Sequence, residues 1–266
     1  PEIRAIIGNP SSPTLVATTY LSPFYCTGSF YKTDFWNQRR GLIGYWGDRE
    51  KPGYFQLKCL HDGYDYSSGL FHSVHLKNGI LGIINFATDY GDTHISLDKV
   101  RDATIKAEDL RLRLEFGGYT GDTNLSKYSK LKDTFIIQRD GVTVALRILS
   151  ASFGRYPLRL EIGEDERNKW CDLVFYSGEE TSICFRELEK ALAVIAIYIS
   201  EDEISDIINK LLDIEVFNDE KFVTAKWKLD NNLLEIRADA KPDSVDRLLK
   251  DSKGFINGLP VEEGVD

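Results

Sequence analysis

Leu110-Arg111-Leu112-Arg113-Leu114-Glu115-Phe116 alternates apolar and charged residues without a break, and this stretch decides the fold class. A side-chain period of two belongs to a β-strand with one buried face and one wet face. Phe55, Leu57 and Cys59 alternate with Gln56 and Lys58 in the same way. Working outward, Asn78-Gly79 lies between the apolar runs Phe71–Leu76 and Ile80–Phe86, and Asp140-Gly141 lies between Phe135–Gln138 and Val142–Leu149. Both dipeptides tolerate the positive φ that a two-residue hairpin turn requires. Asp230-Asn231-Asn232 joins Phe222–Leu229 to Leu233–Ala238, and the polar loop 163–169 joins Leu158–Ile162 to Trp170–Tyr176. Short strands linked by turns predict an all-β chain: a large antiparallel β-sandwich with one or two short surface helices.

Helical signals are few. Glu201–Leu212 places Ile204, Ile207, Ile208, Leu211 and Leu212 on one face after Ser200 as N-cap, and Asp243–Lys250 after Pro242 is a shorter candidate. No repeat, low-complexity tract or linker divides the chain, so residues 1–266 are expected to form a single sandwich domain. A sub-boundary near residue 200 would set off the C-terminal part as an appended half.

The charge balance narrows the partners. Among 266 residues, 42 acidic and 33 basic side chains give a net charge of −9, which argues against nucleic acid and anionic membranes as partners. A local basic patch still leaves room for an acidic polysaccharide. The longest apolar stretch, Ala191–Ile199, is far shorter than the ~20 residues of a membrane-spanning helix. There is no signal-peptide pattern at Pro1. With no methionine in the chain, it is expected to be processed or part of a larger protein. Cys26, Cys59, Cys171 and Cys184 have no short-spaced pairs, so four free thiols and no metal site are expected. Phosphate loops, G-x-S-x-G and H-E-x-x-H are absent, and no cofactor is expected.

What remains is polar and aromatic density in residues 30–100. His61, His72 and His75 fall within fifteen residues, and His94 follows. Trp36 precedes Arg39 and Arg40: an indole suits the apolar face of a sugar, and guanidinium forks suit carboxylate or sulfate. An arginine stacked on tryptophan and paired to a carboxylate is the architectural alternative. Asp89, Asp92 and His94 share one loop, which reads either as a ligand loop or as a solvated turn. His61-Asp62-Gly63 reads as a turn after a strand. On an ideal strand His72 and His75 face opposite sides. Tyr45, Trp46, Tyr54, Tyr64, Tyr66 and Tyr90 add aromatic density that suits glycan clefts and sandwich cores alike. The expected ligand-binding set is therefore Trp36, Arg39, Arg40, His72, Asp89, Asp92 and His94.

Four segments carry a family resemblance: Ala17–Pro23, Phe35–Arg40, His61–Asp65 and Asn85–His94. Over roughly residues 13–200 they resemble the β-sandwich portion of bacterial heparinase II/III-like and related polysaccharide-lyase proteins. The resemblance implies a supersandwich of the galactose-mutarotase-like kind. It also implies a poly- or oligosaccharide partner, acidic ones included, and a helical toroid on the N-terminal side with the glycan cleft between the two. A periplasmic or extracellular location is favoured over a cytoplasmic one. No toroid is present in this chain, and no histidine here matches a catalytic position of those enzymes.

Three readings follow. The first is a carbohydrate-active sandwich module lining a glycan cleft of a polysaccharide-processing protein. The second is a complete sugar-acting enzyme of lyase, hydrolase or epimerase type, using a His/Asp acid–base pair with His72, Asp89 and His94 as candidates. The third is a non-catalytic structural or assembly domain, which would show those residues dispersed and an apolar patch instead.

Overall fold

The computed structural model describes residues 2–7, 15–34, 41–47, 49–66, 70–86, 104–118, 124–125, 130–241 and 251–261. The chain runs through β1 (Glu2–Ile7), β2 (Leu15–Leu21), β3 (Tyr25–Phe30), β4 (Lys32–Asp34), β5 (Leu42–Trp46), β6 (Gly53–His61) and β7 (Tyr64–Asp65). It continues through β8 (Leu70–Leu76), β9 (Gly79–Asn85), β10 (Thr104–Gly118), β11 (Asn124–Leu125), β12 (Thr134–Arg139) and β13 (Val142–Phe153). β14 (Arg159–Glu164), β15 (Lys169–Cys184), β16 (Ala191–Ser200) and the helix α1 (Ile204–Leu212) follow. The last strands are β17 (Ile214–Asn218), β18 (Phe222–Leu229), β19 (Asn232–Asp239), β20 (Lys253–Ile256) and β21 (Leu259–Pro260).

Three antiparallel sheets result. The first has nine strands in the order β1-β2-β3-β5-β6-β10-β15-β14, with β7 paired to β6. The second has seven, β11-β12-β13-β16-β9-β8-β4, and the third has five, β17 to β21. The second sheet lies between the other two. Every residue of β16 is buried, and the strand's alternation sends its side chains into two separate cores. Ala191, Ala193, Ile195, Ile197 and Ile199 join the core shared with the first sheet. Leu192, Val194, Ala196 and Tyr198 join the core shared with the third sheet and α1. In β9, Ile80 and Ile84 divide from Leu81 and Ile83 in the same way. The expected sandwich is therefore present, and the residues after Ser200 add a third layer to it.

Leu110, Leu112, Leu114 and Phe116 face the first core from β10, as their alternation predicts. The turns follow the sequence with small shifts. Asp140 and Gly141 take φ of +51° and +75° between β12 and β13. Asp62-Gly63 (φ +50° and +84°) makes the turn between β6 and β7, as expected for that tripeptide. Between β8 and β9, however, Leu76 pairs with Gly79, so Lys77-Asn78 forms the turn and Lys77 takes the positive φ. Gly79 is needed instead for close approach, because a Cβ there would stand 2.4 Å from Leu229. In the third sheet Leu229 pairs with Asn232, leaving Asp230-Asn231 as the turn.

Among the described residues α1 is the one α-helix, and it begins later than expected. Ser200 still pairs with Thr143 in the middle sheet, so the chain needs residues 201–203 to turn out of it. Ser200 Oγ accepts the Asp202 N–H at 3.0 Å, while Glu203 takes the N-cap position without a side-chain bond. Ile207 and Leu211 are buried, but Leu212 at the helix end is exposed. Two donors hold the C-terminal carbonyls: Arg147 Nη1 on Leu211 O at 2.6 Å and Trp227 Nε1 on Lys210 O at 2.9 Å. The expected helix 243–250 lies outside the described residues. Cys26, Cys59, Cys171 and Cys184 are all free thiols. No helix of the described residues is long and apolar enough to cross a membrane.

Ile195→Ala tests the stacking, since Ile195 is 1% exposed at the centre of the middle sheet. Deleting its side chain is expected to cost about 3–4 kcal/mol in a urea titration. A loss under about 1 kcal/mol would show that this strand is not packed against the first sheet as described.

Candidate functional site

The outward face of β10 carries what its inward face excludes. Arg111, Arg113 and Glu115 stand there beside Lys58 and Gln56 of β6, Trp170 and Asp172 of β15, and Arg159 and Glu161 of β14. These side chains pair with one another. Asp172, whose side chain is 0% exposed, accepts Arg111 Nη1 at 2.9 Å and both Nε and Nη2 of Arg113 at 2.8 Å. Arg111 also grips Asp109 through Nε and Nη2, and its Nη1 reaches Glu161 at 3.1 Å. Lys58 Nζ spans both oxygens of Glu115 at 3.0 and 3.1 Å, and Gln56 Nε2 donates to Glu115 Oε1 at 2.7 Å. Arg159 Nε closes on Glu161 at 2.7 Å. The carboxylate of Asp109 holds the Arg111 guanidinium firmly in its charged form, and Arg159, followed by Arg111, draws the Glu161 carboxyl below its usual range. Four cations thus face four carboxylates in a charge-balanced plate.

Aromatic rings lie in and beside this plate. The Arg113 guanidinium sits 4.2 Å from the centre of the Trp170 ring, and Trp170 fits because Gly163 beneath it has no Cβ. Tyr54 reaches over Gly117 to donate to Asn168 Oδ1 at 3.4 Å. Tyr45, its cross-strand partner on β5, is 47% exposed. With Phe24 (57% exposed), Trp46, Pro23, Pro52 and Arg49 it lines an open groove of about 330 Å³. At the other end of the plate a shallow groove of about 410 Å³ is lined by Leu60, Asp62, Gly63, Asp109, Arg111 and Arg113 among others. There β10 bulges between Ala107 and Asp109, and Asp62 Oδ1 takes the N–H groups of Glu108 and Asp109 at 2.8 and 2.7 Å. His61 Nε2 donates to Lys106 O at 2.7 Å and lies 3.3 Å from Asp62, so this pair holds the bulge.

The candidates read from the sequence are placed as follows. Trp36, Arg39, Arg40, Asp89, Asp92 and His94 lie outside the described residues. His72 and His75 stand on opposite faces of β8, as the strand period requires. His75 faces the first sheet: its Nε2 donates to Lys77 O at 2.7 Å, and its Nδ1 accepts the Ser29 hydroxyl at 3.2 Å. Ser73 Oγ adds a bond to Phe30 O at 2.7 Å, making a buried polar clip between the two sheets. His72 faces the third sheet, is 1% exposed and stands edge-on to the Tyr31 ring. Among the described residues neither of its ring nitrogens has a hydrogen-bond partner. It therefore does not lie on an open surface. Among the described residues no group of three or more His, Cys, Asp or Glu side chains is arranged to hold a metal.

The plate draws on residues 54–60 within the expected stretch and on residues 109–172 beyond it. Its arginines were legible only as the wet side of an alternating strand. The signal for a site was the like-charged pair Arg111 and Arg113 two residues apart, which needs carboxylates from neighbouring strands. The stacked and carboxylate-paired arginine considered for Arg39 is built here by Arg113, Trp170 and Asp172.

Two measurements probe these buried groups. Asp172→Asn keeps the shape but removes the charge between two guanidiniums, and is expected to cost about 3 kcal/mol in urea unfolding. A cost within experimental error would mean the plate contributes nothing to stability. Burial, reinforced by Lys32 and Lys253, holds the His72 imidazole well below its ordinary value of 6.5. The unfolded chain then binds the extra proton, so stability is fully present above about pH 6.5 and falls as the pH drops toward the lowered folded value. The parent is expected to lose up to about 1.4 kcal/mol per pH unit more than His72→Leu over that window. Equal slopes for the two proteins would refute this.

No family model matches this chain, and neither does any curated protein or any solved structure. The chemistry of the plate and its aromatic rim is what carries the functional reading.

Proposed function

We propose that this chain is a carbohydrate-binding β-sandwich module of a polysaccharide-processing protein, and that the outward face of the nine-stranded sheet takes the glycan. One observation carries the reading: exposed aromatic rings, Tyr45 and Phe24, border a plate of alternating donors and acceptors. A sugar has an apolar face that stacks on an aromatic ring and a rim of hydroxyls that both donate and accept. From β5 to β15 is three strand spacings, about 14 Å, room for a short oligosaccharide. The plate is rigid before any ligand arrives, because its side chains are fixed by one another, and little ordering entropy is left for binding to oppose.

The resemblance to heparinase II/III-like sandwiches agrees with this reading, and it implies a helical toroid with the glycan cleft between it and the sandwich. Trp36, Arg39, Arg40, Asp89, Asp92 and His94 are further candidate contacts.

A glycan array probed with the full chain, alongside Phe24→Ala, tests the proposal. The parent is expected to capture at least one oligosaccharide class, and the variant to capture it at least about tenfold more weakly with an unchanged melting temperature. A folded parent that captures no glycan sinks the reading.

A further inference from the structure

We infer that β14 is the contact of a twofold-symmetric homodimer, in which it pairs antiparallel with β14 of a second copy about Leu160. The inference is independent of the carbohydrate reading. Among the described residues β14 lies at one edge of the nine-stranded sheet and pairs with β15 alone. The hairpin decides which of its backbone groups are left over. Asp165 N–H donates to Asn168 O at 2.9 Å, and hydrogen-bonded pairs in an antiparallel ladder recur at every second residue. Arg159, Glu161 and Gly163 therefore bond to β15, while the N–H and C=O groups of Leu160, Ile162 and Glu164 point away from it. Such a row is a template for another strand.

Charge selects both the partner and the register. Residues directly opposite in a sheet share a face, so a twofold axis near the middle of β14 passes through Leu160, Glu161 or Ile162. An axis through Glu161 sets two carboxylates against each other, which is destabilising. An axis through Ile162 brings Arg159 only to the copy's Asp165, whose carboxylate already takes the N–H groups of Arg167 and Asn168. An axis through Leu160 sets Arg159 opposite the copy's Glu161, and Glu161 opposite its Arg159. The strand is complementary to itself in this register alone.

The side chains are ready for that pairing. Among the described residues Arg159 bonds through Nε alone, to Glu161 of its own chain, which leaves the Nη groups for the copy's carboxylate. Both side chains are solvent-accessible, 51% for Arg159 and 38% for Glu161. On the other face Ile162 is 39% exposed, although its cross-strand partner Cys171 is buried in the first core. The same register lays the copy's Leu158 against it and covers apolar surface that the single chain leaves wet. Each copy uses the same edge, so the pairing is isologous and closes at two chains. The two plates then lie side by side on one continuous sheet.

Sedimentation velocity of the full chain over a hundredfold concentration range tests the pairing. The parent is expected to pass from monomer to dimer. Arg159→Glu replaces both attractive pairs by repulsive ones, and is expected to weaken the dimer at least about tenfold with an unchanged circular dichroism spectrum. Ile162→Pro removes an N–H that faces away from β15, so the chain keeps its own ladder, and the same loss is expected. A register-specific trap completes the set. Leu160→Cys places two thiols directly opposite, at a Cα separation of about 5.5 Å that a disulfide spans, and is expected to give a covalent dimer on mild oxidation. Ile162→Cys is expected to give far less, and the parent serves as the blank for the four native thiols. A parent that stays monomeric throughout overturns the inference. So does a dimer that Arg159→Glu and Ile162→Pro both leave intact, or one trapped better at Ile162→Cys than at Leu160→Cys.

Discussion

The double burial of the middle sheet is the constraint on which the other layers depend. Ala191–Ser200 is apolar at nearly every position and buried at all of them, so both faces of β16 must be covered. A sheet hydrophobic on two faces cannot end a stack; it needs a layer on each side. The nine-stranded sheet supplies one, and the third sheet with α1 supplies the other. The alternation of β16 between two cores settles which side chains meet which layer. Small residues at Ala191, Ala193 and Ala196 let large neighbours such as Phe153, Phe185 and Trp227 fill the space.

Polar groups at the two seams fix how the layers sit. His75, Ser29 and Ser73 clip β8 to β3, with Thr27 also at 3.0 Å from the imidazole. On the opposite side Asn85 donates to Asp239 O at 2.9 Å, and Tyr31 Oη accepts the Gly254 N–H at 2.8 Å. Apolar contact alone tolerates sliding of one sheet over another. Directional bonds at a few buried points do not, because a shift of one residue would leave their donors and acceptors unpaired in a low-dielectric interior. His72 is the exception at the second seam: among the described residues its buried nitrogens have no hydrogen-bond partner, and burial favours the neutral imidazole there.

The plate on the outer face obeys the same logic with charges in place of hydroxyls. Each cation of β10 is matched by a carboxylate from the strand beside it or two residues along its own, so long polar side chains lie flat and half-buried on the sheet. Such a surface holds its shape without a ligand. It also presents fixed acceptors and ring faces, the two features on which the carbohydrate reading rests. Two exposed aromatics, Tyr45 and Phe24, share a groove at one end of it, by β3 and β5.

The sequence by itself determined the strands. Leu110–Phe116 and Phe55–Cys59 announce their buried faces because side-chain alternation is a local property of extended backbone. Asp62-Gly63 and Asp140-Gly141 fix their turns because only residues tolerant of positive φ fit there. Tertiary structure decided the rest. Gly79 looked like a turn residue, yet it is kept small by Leu229 from a distant strand. Ala191–Ile199 read as an apolar run too short for a membrane span, but nothing local told that its two faces would enter two different cores. Arg111 and Arg113 looked like ordinary solvent-facing charges until β6, β14 and β15 brought Lys58, Glu161, Trp170 and Asp172 beside them. Local pattern records which face of an element is buried; it carries no record of which distant residue covers that face, because strand pairing across a hundred residues is fixed only when the whole stack closes.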